Sequence, residues 1–299
     1  MAIAGEDAQS GVARVRRLRC VSLTCADAAR LADFYHSALG FRQVAAGRRC
    51  GAQFESLMGV ESAAAWRALS LGRESIELLQ FDRPGAPYPA GSVSSDLSFQ
   101  HFAIVVSDMK RAFERLSALG GWCAISQGGP QRLPESSGGV TAYKFRDPEG
   151  HPLELLAFPA GAAPARWCDL PGDSAGEPCL GIDHSAISVA DSLRSIAFYA
   201  ALGLTRAAHS FNSGPEQARL DGVALPQVQV TALTPPQPTP HVELLSYQLV
   251  QRCAPAAPTP CSNDIVATRL VFQSEAAALG AATPACRLLD PDQHQLLIE

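Results

Sequence analysis

Three hexapeptides, IELLQF at 76–81, LELLAF at 153–158 and VELLSY at 242–247, each put a glutamate where a strand should be apolar. Successive strand residues point to opposite sides of a sheet. Glu77 therefore shares a face with Leu79 and Phe81, Glu154 with Leu156 and Phe158, and Glu243 with Leu245 and Tyr247. A carboxylate taken out of water without a partner costs several kcal/mol, so a buried one is normally paired or bound to a metal. A fold that repeats this arrangement has a reason for it.

The hexapeptides close a longer repeat. Upstream lie RCVSLTCAD at 19–27, QHFAIVVSD at 100–108 and DHSAISVAD at 183–191. Each final Asp is placed to cap a helix by accepting from its first free N–H groups. After Asp27, residues Leu31, Phe34, Tyr35, Ala38 and Leu39 form the stripe of a core-facing helix, as do Leu193, Ile196, Ala197, Ala200 and Ala201 after Asp191. Gly40, Gly120 and Gly203 stand where a glycine ends each helix. The unit reads as one strand, one helix and three strands. A fourth, shortened copy occupies 263–299, where RLLDPDQHQLLIE echoes FRDPEGHPLELLAF with Leu297 in place of Glu154. The expected fold is α+β, four βαβββ units paired into two curved-sheet clefts.

Pro/Gly/Ser-rich stretches at 82–96, 159–178 and 254–263 separate the copies, and TPPQPTP at 234–240 reads as a hairpin loop. The expected organisation is a loose leader over 1–13, a first half over 14–158 with units 14–81 and 97–158, a linker over 159–178, and a second half over 179–299 with units 179–249 and 263–299. A net charge of −5 gives no footprint for nucleic acid, and no apolar run approaches a membrane span. The nine cysteines include no C-x-x-C pair and the start lacks a secretory apolar region, so reduced thiols in the cytoplasm are expected.

Seven residues before each capping Asp stand Cys20, His101 and His184; in the fourth copy the same step lands near Ala267 or Thr268. Each of the first three units thus offers one candidate ligand on its first strand and a glutamate on its last. A lone strand histidine is more often a hydrogen-bonded core residue, but two units sharing both residues at matched spacing favour metal. Imidazole with carboxylate suits one divalent ion, with Fe, Mn, Ni, Zn and Co all open. A buried Cys20 reads as a small hydrophobe. His151 and His294 fall in D-P turns, and His36, His209 and His241 have no counterpart in other copies.

The repeated unit, the F-Y and L-G helix ends (Phe34, Tyr35, Leu39, Gly40; Phe198, Tyr199, Leu202, Gly203) and DPEGHPLELL together resemble the vicinal oxygen chelate superfamily. It includes glyoxalase I, the extradiol dioxygenases and the bleomycin-resistance proteins, and the resemblance spans 15–299. It implies metal ligands from the first and last strands of paired units, here His101, Glu154, His184 and Glu243, with Glu77 a further candidate. It also implies a glyoxalase-like lyase or isomerase acting on a small substrate with vicinal oxygens, Glu154 or Glu243 moving the proton. The alternatives are a metal-free binding protein of bleomycin-resistance type and a dioxygenase with a non-standard Fe(II) site. Extradiol dioxygenases take their ligands from the third and fourth units, and here the fourth supplies none. Pairing of the second unit with the third is favoured over sequential pairing, because only it gathers both histidines and both glutamates.

Overall fold

The computed structural model describes residues 14–168, 176–248, 259–280 and 284–299. The expected leader over 1–13, residues 169–175 of the linker and residue 249 of the third unit lie outside them. The first unit is β1 (Val15–Thr24), α1 (Ala28–Leu39), β2 (Arg42–Arg49), α2 (Ala52–Met58), β3 (Ala64–Leu71) and β4 (Glu74–Phe81). The second is β5 (Gln100–Val106), α3 (Met109–Ser117), the short β6 (Cys123–Ala124) and β7 (Gln131–Arg132), then β8 (Thr141–Arg146) and β9 (Pro152–Ala157). The third is β10 (Cys179–Ser188), α4 (Ser192–Ala201), β11 (Thr205–Ser213), α5 (Pro215–Asp221), β12 (Gln227–Thr234) and β13 (His241–Tyr247). The fourth is β14 (Thr268–Ser274), α6 (Glu275–Ala278), β15 (Cys286–Leu289) and β16 (Gln295–Ile298).

The protein is α+β, and its two sheets cross the sequence halves. One runs β15-β16-β14-β1-β4-β3-β2 and joins the first unit to the fourth; the other runs β11-β12-β13-β10-β5-β9-β8-β6 and joins the third to the second. Antiparallel pairing of β1 with β14 and of β5 with β10 makes each junction. Asp27, Asp108 and Asp191 cap α1, α3 and α4 through their side chains. Gly40, at φ 78°, ends α1 in the left-handed conformation, whereas α3 stops at Ala118, two residues before the expected Gly120.

Alternation along the strands divides the two faces of each sheet. Leu78, Phe102, Ile104, Leu153, Leu155, Ile187, Leu244 and Leu270 join the core that holds Leu31 and Tyr35 of α1 and Leu116 of α3. The glutamates and their Leu and aromatic companions take the opposite, concave faces, in three smaller apolar clusters.

The D-P turns latch one sheet to the other. Asp147 accepts from Tyr35 OH at 2.9 Å, and His151 reaches Asp147 through Nδ1 at 2.8 Å and the Thr24 carbonyl through Nε2 at 2.9 Å. The fourth unit repeats the latch on the third, with Tyr199 OH on Asp290 and His294 Nε2 on the Ser188 carbonyl. Both His151 nitrogens face acceptors, so both must donate and the ring is an imidazolium. Burial alone would lower its pKa, but Asp147 and the Thr24 carbonyl outweigh burial and raise it. A raised imidazole pKa stabilises the fold fully below its unfolded value, about pH 6.5, and the contribution fades as pH climbs through the folded value. His151→Gln is therefore expected to destabilise the chain more at about pH 6, below the unfolded imidazole value, than at about pH 9, above it. Urea denaturation at both pH values checks it, and an equal loss at both would contradict an imidazolium latch.

Candidate metal centre

The second and third units bring four predicted residues to one concave floor. On β9, Glu154 lies beside Ala103 of β5, and on β13, Glu243 lies beside Ala186 of β10. The junction sets His101 opposite Ala186 and His184 opposite Ala103. This exchange carries both histidines to the same side of the seam. Their ring centroids are 5.9 Å apart, His101 Nε2 is 2.8 Å from Glu154 Oε2, and His184 Nε2 is 3.5 Å from Glu243 Oε2. One ligand atom from each of His101, Glu154 and His184 lies within 4.8 Å of the others. Two metal–ligand bonds of about 2.1 Å each come close to spanning such a gap.

Three residues beside these four carry no simple sequence signal. His241 pairs with His184 across β10 and β13, with its Nε2 3.5 Å from Glu243 Oε1. It has no counterpart in the other units, yet it sits two residues before Glu243 and hence on the same face. Asp183 precedes His184 and should point the other way; an irregularity in the β5–β10 register between Ile182 and His184 brings it round. Its Oδ2 accepts from His184 Nδ1 at 3.0 Å, which leaves Nε2 for Glu243 or a ligand. Asp183, His184 and His241 form a second group with donor atoms within 4.8 Å. Lys144, opposite Glu154 on β8, is buried and donates to Asp221 at 2.7 Å. A lysine inside the apolar strand AYKF was the available clue.

The floor is rich in negative charge. Burial alone would raise the Glu243 carboxyl, but His184 and His241 outweigh it and hold it at about 2. Glu154 is likewise held below its ordinary value against burial, by Lys144 and His101. Burial works against the His184 imidazolium, yet Glu243, Asp183 and Glu154 push its pKa up to about 9. His101 moves the other way, because burial and then Lys144 disfavour its charged form. Asp221, Glu154 and Glu243 surround the Lys144 ammonium, and Glu243 and Asp183 the His184 imidazolium, so the carboxylates of the floor outnumber these two cations. A divalent cation fits this excess and this donor set, and His101 Nδ1, buried without a partner, leaves the ring with an unused nitrogen.

Glu77 and Cys20 lie in the other sheet, apart from this group. Glu77 is gripped by Arg49 through both guanidinium nitrogens, at 2.9 and 2.5 Å, and accepts from Ser22 Oγ at 3.1 Å. Burial pushes the Cys20 thiol up to about 12, so it is no thiolate at neutral pH. The register puts Ser22 opposite Arg269, as it puts Ala103 opposite His184, so the fourth-unit counterpart of the histidine is Arg269 rather than Ala267 or Thr268. The strand-to-cap spacing is two residues shorter there, since Ser274 ends β14 and itself caps α6. Arg269 is fully buried and bonds the Ser262 and Ala267 carbonyls and Thr24 Oγ1. A guanidinium thus occupies the position equivalent to a candidate ligand, while Phe54 and Met58 of α2 pack into the same concave face.

Two sheets, each built from a pair of strand–helix–strand units with the fourth unit shortened, and one of them with a His/Glu floor, define a cleft protein of vicinal oxygen chelate architecture. Residues 17–155 match the family model described as Glyoxalase/Bleomycin resistance protein/Dioxygenase superfamily. No curated protein matches the chain. Among solved structures, glyoxalase I from Zea mays superposes with a TM-score of 0.55 at 16% identity, covering 95% of this chain and 92% of that one. A point mutant of the same protein gives 0.58 at 17% identity, covering 95% and 93%. A putative dioxygenase from Bacillus subtilis gives 0.55 at 10% identity, covering 96% and 86%. At these identities the likeness is one of fold.

Proposed function

We propose that this chain is a glyoxalase-like lyase or isomerase that uses one divalent metal ion and acts on a small substrate with vicinal oxygens. The convergence of His101, Glu154, His184 and Glu243 on one buried, negatively charged floor carries the reading. These four residues would hold the ion, with Asp183 orienting His184. A bound divalent ion would polarise a substrate carbonyl and so acidify the neighbouring C–H. Fe, Mn, Ni, Zn and Co all remain compatible with the donors.

The protein's own part is proton movement. A glutamate carboxylate takes the proton from the hydroxyl-bearing carbon beside the carbonyl and the electron pair moves toward the carbonyl oxygen; the hydroxyl proton then passes to that oxygen as a new C=O forms, and the glutamate returns its proton to the former carbonyl carbon. Glu154 and Glu243 both line the cavity, and they are held differently. Glu154 is closed on His101 at 2.8 Å, whereas Glu243 stands 3.5 Å from each of His184 and His241. The looser contacts, with the side chain 22% exposed against 9% for Glu154, make Glu243 the freer proton carrier. Turning away from the two imidazoles would also restore its basicity, since they are what hold its pKa down.

The test is solvent-deuterium incorporation and isomerisation of small α-hydroxy ketones and thiol adducts of vicinal dicarbonyls, followed by NMR. Metal-dependent exchange is expected, falling at least about 100-fold in Glu243→Gln. Ligand binding without exchange under any of the five metals would favour the binding-protein reading, and dioxygen consumption a dioxygenase.

A further inference from the structure

One wall of the cavity takes no part in the chemistry above. Asp221, buried at the end of α5, accepts from Lys144 Nζ at 2.7 Å, Gln217 Nε2 at 2.7 Å and Tyr247 OH at 2.9 Å. An ionised carboxylate only accepts, so Gln217 must turn its NH₂ toward Asp221, and this fixes the amide's orientation. Its Oε1 is left over, buried in a residue that lines the cavity and without a partner on the protein. Gln217 is 4% exposed. Asn212 on β11 lines the same cavity, and its Oδ1 is also buried and unpaired. An unsatisfied buried acceptor is costly and calls for a donor.

The rest of the wall limits what that donor belongs to. Leu133, Val140, Leu220 and Val228 make it apolar. Lys144, the one lysine or arginine among the described lining residues, is already spent on Asp221. Asp183, Glu154 and Glu243 repel an added anion, and a volume of about 190 Å³ is small for a ligand site.

We infer that Gln217 and Asn212 read a hydrogen-bond donor, so that the cavity takes a small uncharged molecule carrying a hydroxyl on an otherwise apolar body. Only the vicinal-oxygen end of that molecule rests on the function proposed above. A carboxylate- or phosphate-bearing conjugate is disfavoured.

The experiment compares 4-hydroxybenzohydroxamate with benzohydroxamate on the full-length protein loaded with Co(II), by calorimetry, with Co(II) uptake followed separately by absorbance. The hydroxyl probe should bind about tenfold tighter to the unaltered protein, and Gln217→Met should cut the gap to about threefold or less. Should Gln217→Met fail to fold, Asn212→Val on the edge strand β11 carries the same expectation. Equal binding of the two probes, a gap unchanged in the variant, or no binding of either by Co(II)-loaded protein would overturn the inference. Failure to take up Co(II) overturns the metal reading alone. The donor preference is then read with 4-hydroxybenzyl alcohol against benzyl alcohol, and equal binding, or none, overturns it.

Discussion

Asp221→Ala should destabilise the folded chain by about 3–5 kcal/mol, the usual loss when one member of a buried ion pair is removed. The Lys144 and Asp221 side chains are 5% and 0% exposed, so neither water nor a surface charge can replace the missing carboxylate. Gln217 and Tyr247 lose an acceptor at the same stroke. Glu154 lies across the strand from Lys144 but is engaged with His101. The double variant Lys144→Met/Asp221→Leu should recover much of the loss, because replacing both partners removes the desolvation cost along with the attraction. Equilibrium urea denaturation of the three proteins decides it. A loss below about 1 kcal/mol in Asp221→Ala would mean that the pair is solvated and the cavity wall open.

His101→Ala combined with Glu154→Ala is expected to lower affinity for a divalent ion by about 1,000-fold or more while leaving the metal-free fold near its original stability. Two of the four proposed ligands disappear, which accounts for the binding loss. Stability survives because the two residues are each other's partner, so the double change strands neither an imidazole nor a carboxylate. Lys144 keeps Asp221. Glu154→Ala alone should be worse for the fold, since it leaves His101 wholly unpartnered. Metal titration and thermal unfolding of the metal-free proteins are the measurements. A large stability loss in the double variant would show the pair to be structural.

Much of the architecture could be read from the chain because its signals are local. The capping aspartates, the stripe of α1 and the period-two alternation around Glu77, Glu154 and Glu243 each depend on neighbours a few residues away, whereas the stripe expected after Asp191 fails: α4 buries Ser195 and Tyr199 and leaves Leu193 78% exposed. Pairing of units depends on distant strands. Sequential order favoured neighbours along the chain, whereas the distribution of ligands favoured the second unit with the third, and the sheets follow the latter. Details that rest on irregular backbone were hidden. The irregularity at Asp183 turns it toward its own neighbour's ring, and a two-residue shortening moves the fourth-unit position to Arg269. His241 escaped because it is peculiar to its unit, and repeats reveal only what is shared. Glu77 shows the converse hazard, for the same hexapeptide meets an arginine in one sheet and histidines in the other.

The central claim is that the floor between β5 and β10 is built to hold one divalent ion, and metal stoichiometry tests it most directly. Protein purified without a metal-binding tag, stripped with chelator and titrated with Co(II), Ni(II), Zn(II), Mn(II) and Fe(II), should take up about one equivalent per chain of at least one of them. Uptake should vanish in the His101→Ala/Glu154→Ala protein. Less than about a tenth of an equivalent of every metal, by elemental analysis both as purified and after titration, would contradict the account.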